Sequence, residues 1–319
     1  MSVMYSTIKV SIGSTVTLGL RNFNQNYPNP TVYLLTPGKC LRDCKYCSLA
    51  KSSNSDEKYL SRIVWPSFEI DDVIQKILKN KDKIKRVCIQ TVNNRFSREI
   101  YTKILKEIGD RFKVSISINS ENDKLIKELF SNGVDRVGIP IDVATEKNYE
   151  FLRGGDFFKK INFILKTGKT YEGRISTHII VGLNETDFEI LNLYKLLITN
   201  MINVGLFAFT PVKGSYLEKS PPPKIIRYRK IQIGTKLIEL GYNIKDFKFK
   251  NNGELIGFPK FNLDEIIKLN PFNTRGCPDC NRPFYNERPT GAIYNYPFPV
   301  KYEQTEKEIV DLGLDKIFI

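Results

Sequence analysis

From residue 31 to about residue 245 the chain repeats one two-part pattern six times: a short apolar run, then a longer stretch whose apolar positions recur at helical spacing. The pairs read TVYLLTP with FEIDDVIQKILKN, RVCIQTV with SREIYTKILKEIG, KVSISIN with DKLIKELFSNG, DRVGIPIDVA with DFFKKINFILKTG, RISTHIIVGL with TDFEILNLYKLLITN, and VGLFAFTPV with IRYRKIQIGTKLIELG. A short run of β-branched and aliphatic residues suits a strand buried on both faces, and an amphipathic helix is what covers such a strand. The alternation therefore predicts an α/β fold with parallel strands inside and helices outside. Ser97 is the predicted N-cap of the second helix.

The first strand runs through a Pro-Gly turn into GKCLRDCKYCSLA. In a parallel α/β barrel the loops at the C-terminal strand ends carry the chemistry, and this loop stands at such an end. Cys40, Cys44 and Cys47 put three soft thiolates on one short loop, enough to hold three irons of a 4Fe-4S cluster. Zinc would want a fourth ligand nearby and usually shows paired CxxC spacing. A second pair, Cys277 and Cys280, lies in CPDCNRPFYNERPTGAIYNYP, where the alternation has stopped. That pair can supply two ligands to a second metal centre or to a zinc staple. A complete cluster there would need Cys88, a non-cysteine ligand or a second subunit, and Cys88 otherwise reads as a small buried apolar residue. Cysteines grouped in this way are ligands rather than a disulfide framework, so a reducing cytoplasm is expected.

The cysteine trio and the six repeated units together resemble the radical SAM superfamily. The resemblance implies a partial (β/α)6 barrel of TIM type with an irregular C-terminal extension. It also implies a cluster on Cys40, Cys44 and Cys47 whose fourth iron takes the amino and carboxylate groups of S-adenosylmethionine. One electron would cleave that cofactor to methionine and a 5′-deoxyadenosyl radical. Tyr46 would lie against the adenine. IIVGLNET resembles a segment of the biotin synthases and their relatives, which implies that Gly182 and Glu185 shape the cofactor pocket. Asp142 resembles the carboxylate that meets the ribose hydroxyls, and its alternative is an N-cap for the following helix. QTVNN replaces a Gly-Gly-Glu type motif, leaving Asn93 or Asn94 for the methionine amino end. Ser117 and Asn119 share one face of the third strand and point into the barrel. Thr210, in FAFTPVKGS, falls at the sixth strand end, whose edge contacts adenine in the family; Lys213 beside it meets a carboxylate or is simply exposed. His178, the only histidine, is a packed core residue or a barrel-lining one near substrate.

From about residue 30 to 300 the pattern resembles the archaeal two-component lipoyl synthases. That implies sulfur insertion into the octanoyl chain of an acidic lipoyl carrier protein, with sulfur drawn from an auxiliary iron-sulfur cluster. It further implies a second radical SAM subunit and an electron donor such as ferredoxin. Biotin synthase itself is disfavoured, because residues such as Ser176 stand where its second cluster has cysteines. The alternatives are a tRNA-modifying enzyme, with no added RNA-binding domain evident, or a biotin synthase-like enzyme acting on another small substrate. The formal charge of +14 suits an anionic partner, although lysines on helix faces also read as plain solvated surface.

Residues 1–30 are expected to be a lead with a strand-like run, 31–245 the barrel, and 246–319 an extension packed across the barrel's mouth or base. Neither a signal pattern nor about 18 consecutive apolar residues is present, so no membrane span is expected.

Overall fold

Each apolar run is a strand with a helix to return it to the same end of a sheet, and successive parallel strands therefore lie side by side. A computed structural model describes residues 6–25, 29–287 and 291–317. The elements begin with β1 (Thr7–Val10), α1 (Ile12–Thr17), β2 (Thr31–Leu35), a small hairpin of β3 (Tyr59–Leu60) and β4 (Ile63–Val64), then β5 (Ser67–Glu69) and α2 (Ile70–Lys79). They continue with β6 (Arg86–Gln90), α3 (Ser97–Ile108), β7 (Val114–Ser117), α4 (Asp123–Ser131), β8 (Val134–Gly138), α5 (Glu146–Leu152) and α6 (Phe157–Thr170). The core closes with β9 (Ile175–Val181), α7 (Asp187–Thr199), β10 (Asn203–Ala208) and α8 (Ile225–Glu239).

The sheet order is β10-β9-β8-β7-β6-β2-β1-β5. The six expected strands, β2 and β6 to β10, pair in parallel in chain order. Two antiparallel strands extend it: β1, at the start of the strand-like run expected in the lead, pairs with β2, while the rest of that run carries α1, and β5, which was not anticipated, pairs with β1. They continue the sheet past β2, whose five residues are all buried and would otherwise form an apolar edge. Three-residue β5, exposed at both ends, carries too little pattern to be recognised in the sequence.

The sheet curves about a cavity lined from all six parallel strands, by residues such as Leu35, Cys88, Ser117, Gly138, His178 and Phe207. Alternate residues, including Val32, Leu34, Val87, Ile89, Ile179 and Val181, are wholly buried in the core on the other face. Ser97 is not the N-cap of α3 but its first residue, with Phe96 in the cap position. Its hydroxyl donates to Val92 O (2.6 Å) and meets Thr36 Oγ1 (2.8 Å), which joins the C-terminal ends of β2 and β6.

The chain after α8 forms a two-strand ribbon of β11 (Lys248–Phe249) and β12 (Leu255–Gly257), with short helices α9 (Leu263–Lys268), α10 (Arg282–Asn286) and α11 (Tyr302–Asp311). Fully buried Arg229 of α8 pins this extension. It donates to Glu308 Oε1 (2.6 Å) and Ile293 O (2.5 Å) and lies 4.3 Å from the Phe272 ring. Of the two places expected for the extension, the cysteine-bearing part occupies the base. Thr31 Oγ1 donates to Asp279 O (2.7 Å) and Arg86 Nε to Pro278 O (3.1 Å), both from the N-terminal ends of their strands. No helix among the described residues is long and apolar enough to cross a membrane.

Candidate active site

The mouth of the cavity is built on the Cys40–Cys47 loop, which three neighbours hold by backbone hydrogen bonds. Cys40 N–H donates to Leu49 O (2.9 Å), Leu41 N–H to Asn93 O (2.8 Å) and Lys45 N–H to Leu152 O (2.7 Å). All three cysteines line the cavity, whose volume is about 280 Å³. Burial pushes the Cys47 thiol up to about 12, with Cys44 beside it adding to the effect. Burial likewise raises Cys44, opposed by the Arg153 guanidinium. Burial thus favours the protonated form of Cys44 and Cys47, and metal binding would displace those protons.

Behind the loop lies a small polar knot. Tyr46 Oη donates to Asp142 Oδ2 (2.7 Å), and Arg153 Nη1 donates to the Tyr46 hydroxyl (2.8 Å) and to Asp142. Burial pulls Arg153 down, but Tyr46, Asp142 and Cys44 outweigh it and hold the guanidinium well above its ordinary value. Asp142 does not cap the next helix; Thr145 does, accepting from Asn148 N–H. Asp142 instead sits at φ 60°, in the left-handed region, which turns its side chain back toward the loop.

Asn93, Ser117, Asn119 and Thr210 also line the cavity. Asn119 Oδ1 accepts from buried Lys160 Nζ at 2.9 Å. Asn94 is loop scaffolding: it donates to Pro37 O (2.9 Å) and accepts from Phe96 and Ser97 N–H. Gly182 and Glu185 are not brought to the cavity lining. The Glu185 carboxylate folds back onto Gly182 N–H (2.8 Å) and Leu183 N–H (2.7 Å) and pairs with Arg227, so it shapes the turn after β9 rather than facing a ligand. His178 lines the middle of the cavity edge-on to Phe207, at 5.0 Å between ring centroids, and burial keeps it below its ordinary range.

Three further cysteines meet at the base. Cys277 Sγ lies 3.7 Å from Ser176 Oγ, and Cys280 Sγ lies 3.7 Å from the Tyr33 hydroxyl. Tyr33 also donates to Asn281 Oδ1 at 2.9 Å, which anchors the loop to β2. Cys88, on the inner face of β6, accepts from Gln90 Nε2 (3.0 Å); burial, then the nearby Cys280 and Cys277, push its thiol up. Sequence reasoning left Cys88 undecided. Its inward parity with Gln90 was the available signal, but nothing in the sequence put the tail beside it. Arg153 was missed altogether.

Both groups have the donors a cluster needs. Buried nitrogens without a partner border each: Arg42 Nε and Arg153 Nε at the mouth, Arg282 Nη1 at the base. An iron-sulfur cluster with its thiolates is an anion and would supply the missing partner. Among the described residues no three His, Cys, Asp or Glu side chains close around one point as a single ion requires. Zinc binds its ligands around one atom, whereas cluster thiolates bind separate irons and stand further apart.

The loop after β10 braces the mouth. Gly214 O accepts from Asn54 N–H (2.9 Å) and Ser53 Oγ (3.1 Å), just beyond Cys47. Gly214 has φ 84°, and a Cβ there would stand 2.5 Å from Ser55 N. Gly214→Ala is expected to cost about 1–3 kcal/mol through backbone strain and to weaken S-adenosylmethionine binding by displacing the cysteine loop. Denaturant melts and equilibrium dialysis check this; an unchanged affinity would separate the brace from the site.

The sequence model of the Radical SAM superfamily matches residues 34–197. The uncharacterized protein MJ0785 of Methanocaldococcus jannaschii is 24% identical over 285 residues, covering 85% of this chain and 69% of that protein. Among solved structures, Streptococcus suis SuiB matches with a TM-score of 0.52 at 15% identity, over 68% of this chain and 48% of that one. The FeFe-hydrogenase maturase HydG from Carboxydothermus hydrogenoformans matches with a TM-score of 0.51 at 14% identity, over 90% of this chain and 66% of that one. At such identities the likeness is one of fold. The chain spans about half to two thirds of the length of the solved structures it matches.

Proposed function

The chain belongs to the radical SAM superfamily, and from that premise we propose that it inserts sulfur into the octanoyl chain of an acidic lipoyl carrier protein. The observation that carries this reading is that two cysteine groups, Cys40, Cys44 and Cys47 and then Cys88, Cys277 and Cys280, line one cavity from opposite ends. Cys88, the third of the five residues of β6, stands two residues from the strand end that faces the Cys40–Cys47 loop, roughly 7 Å at ~3.3 Å per residue. A narrow chain lying in that space would have radical chemistry on one side and a sulfur source on the other. Leu35, Leu49, Val92, Ile180 and Phe209 give the cavity an apolar wall suited to an acyl chain.

In this reading Cys40, Cys44 and Cys47 hold a 4Fe-4S cluster, and Cys88, Cys277 and Cys280 hold an auxiliary one with Arg282 beside it. The first cluster with S-adenosylmethionine supplies hydrogen-atom abstraction from an unactivated carbon, while the auxiliary cluster is the source of sulfur. The chain's own residues position and enclose. The Tyr46, Asp142 and Arg153 knot fixes the loop, and the tail seals the base against water. The partners that go with this reading are a second radical SAM subunit and a one-electron donor.

Anaerobic reconstitution followed by incubation with an octanoyl-lysine peptide from a lipoyl carrier, with mass spectrometry for added sulfur, tests it. Cys280→Ser is expected to keep S-adenosylmethionine cleavage, lose sulfur addition and lose about half of the bound iron if two clusters are present. Zinc on Cys277 and Cys280, or unchanged sulfur addition by Cys280→Ser, would sink the sulfur-donor role.

A further inference from the structure

The outer face of the Cys40–Cys47 loop carries large apolar side chains in water. Phe151 is 56% exposed and Tyr216 64%. Neither lines the cavity. Phe151 and Tyr216 pack edge to face with centroids 6.0 Å apart. The Lys45 ammonium stands 6.0 Å from the first ring centroid and 4.9 Å from the second. The same patch is bound to the loop through the backbone: Lys45 N–H donates to Leu152 O (2.7 Å), and Leu217 N–H donates to Lys45 O (3.2 Å). Lys45 lies between Cys44 and Cys47 in the chain. The patch is therefore coupled directly to the segment that carries two of the three thiolates.

Aromatic side chains grouped in water mark an interaction surface, since hiding them would gain roughly 25 cal/mol per Å². Lys45 itself stands 3.9 Å from the Asp43 carboxylate, and Lys51, Lys213 and Lys219 are exposed on the segments that follow the cysteine loop and flank Tyr216. The whole chain, at +14, adds attraction for an anionic protein.

We propose that this patch is the docking site of a small acidic one-electron carrier protein of the ferredoxin type. The proposal rests on the reading that Cys40, Cys44 and Cys47 hold a reducible cluster. A carrier seated here contacts the ligand loop through side chains that do not line the cavity, which favours an electron donor over an acyl carrier. The step is a single electron transfer: the carrier is oxidised by one electron, the cluster on this loop gains it, and no bond forms between the proteins. A modest apolar centre with a basic rim is the make-up of a transient redox encounter.

The test compares formation of 5′-deoxyadenosine by the reconstituted full chain under two reductants, reduced ferredoxin and sodium dithionite. In the double variant Phe151→Ser/Tyr216→Ser the ferredoxin-driven rate is expected to fall about tenfold or more, the loss of one to two interface anchors, while the dithionite-driven rate stays unchanged. Lys219→Glu, a fully surface change, should lower only the ferredoxin-driven rate and weaken its dependence on salt. Equal losses under both reductants, or no loss with ferredoxin, would overturn the docking site. So would a selective loss of activity on an octanoylated carrier under dithionite, since that would make the patch a substrate surface. No cleavage by the unaltered chain under dithionite would overturn the cluster reading, and the docking site with it. Sulfur insertion is read separately, by mass on the carrier.

Discussion

Replacing Cys44 by alanine is expected to abolish S-adenosylmethionine cleavage while leaving the fold intact. Cys44 is the middle thiol of the trio, and the nearest carboxylate that acts on it, Asp142, is already engaged by Tyr46 and Arg153. Two thiolates cannot keep three irons of the cluster ligated. Because an outer-shell change at a metal site already costs ~10–100-fold, loss of a direct ligand should exceed that. The structural cost is small, since only one sulfur is removed from a loop whose own backbone bonds, from Cys40, Leu41 and Lys45, remain; about 1 kcal/mol is the ordinary scale for such a change. Iron and sulfide content, the visible absorption of the reconstituted protein and the yield of 5′-deoxyadenosine measure the outcome. Full iron with normal cleavage would show that the three thiols do not act together. The contrast with Cys280→Ser is the informative one, because the two variants separate making a radical from using it.

Much of this layout follows from local pattern. The six strands and their helices alternate in period, and period is a property of neighbouring residues, so β2 and β6 to β10 could be read directly. Cys40, Cys44 and Cys47 are likewise local. What pattern does not reveal is what has a distant reason: the place of β1 beside β2, and β5 beyond it, which together cover the edge of β2. Distance also explains Cys88. Its parity on β6 was visible, but its company with Cys277 and Cys280 depends on a tail that returns 190 residues later to plug the base, tied by Thr31 and Arg86. Glu185 is a different case: it matched a motif, and its carboxylate accepts from two backbone N–H groups and pairs with Arg227, shaping the turn after β9. Motif agreement fixes a residue's identity, whereas hydrogen-bond accounting decides which way it faces.

The second large effect is expected in stability, at Arg153. This guanidinium is buried at 5% exposure and serves Asp142 and Tyr46 together, with its carbon also 5.9 Å from the Tyr149 ring. Arg153→Met keeps much of the length but strands the Asp142 carboxylate in the interior with Tyr46 as its donor, which should cost ~3–5 kcal/mol. Asp142→Asn alone leaves Arg153 buried and short of its counter-charge and should be damaging for the same reason. The double variant removes both charges, so its loss should be smaller than the sum of the singles by ~0.5–3 kcal/mol of coupling. Arg153→Lys should recover part of the loss, because an ammonium can satisfy the charge but lacks the planar fork that a guanidinium offers. Denaturant unfolding of the four proteins measures this cycle, and strict additivity would show that the pair is not coupled. The knot also holds Tyr46 between Cys44 and Cys47, so affinity for S-adenosylmethionine should fall with stability across the series. A variant that loses stability yet keeps full affinity would show that the loop is positioned by its backbone bonds to Leu49, Asn93 and Leu152 alone.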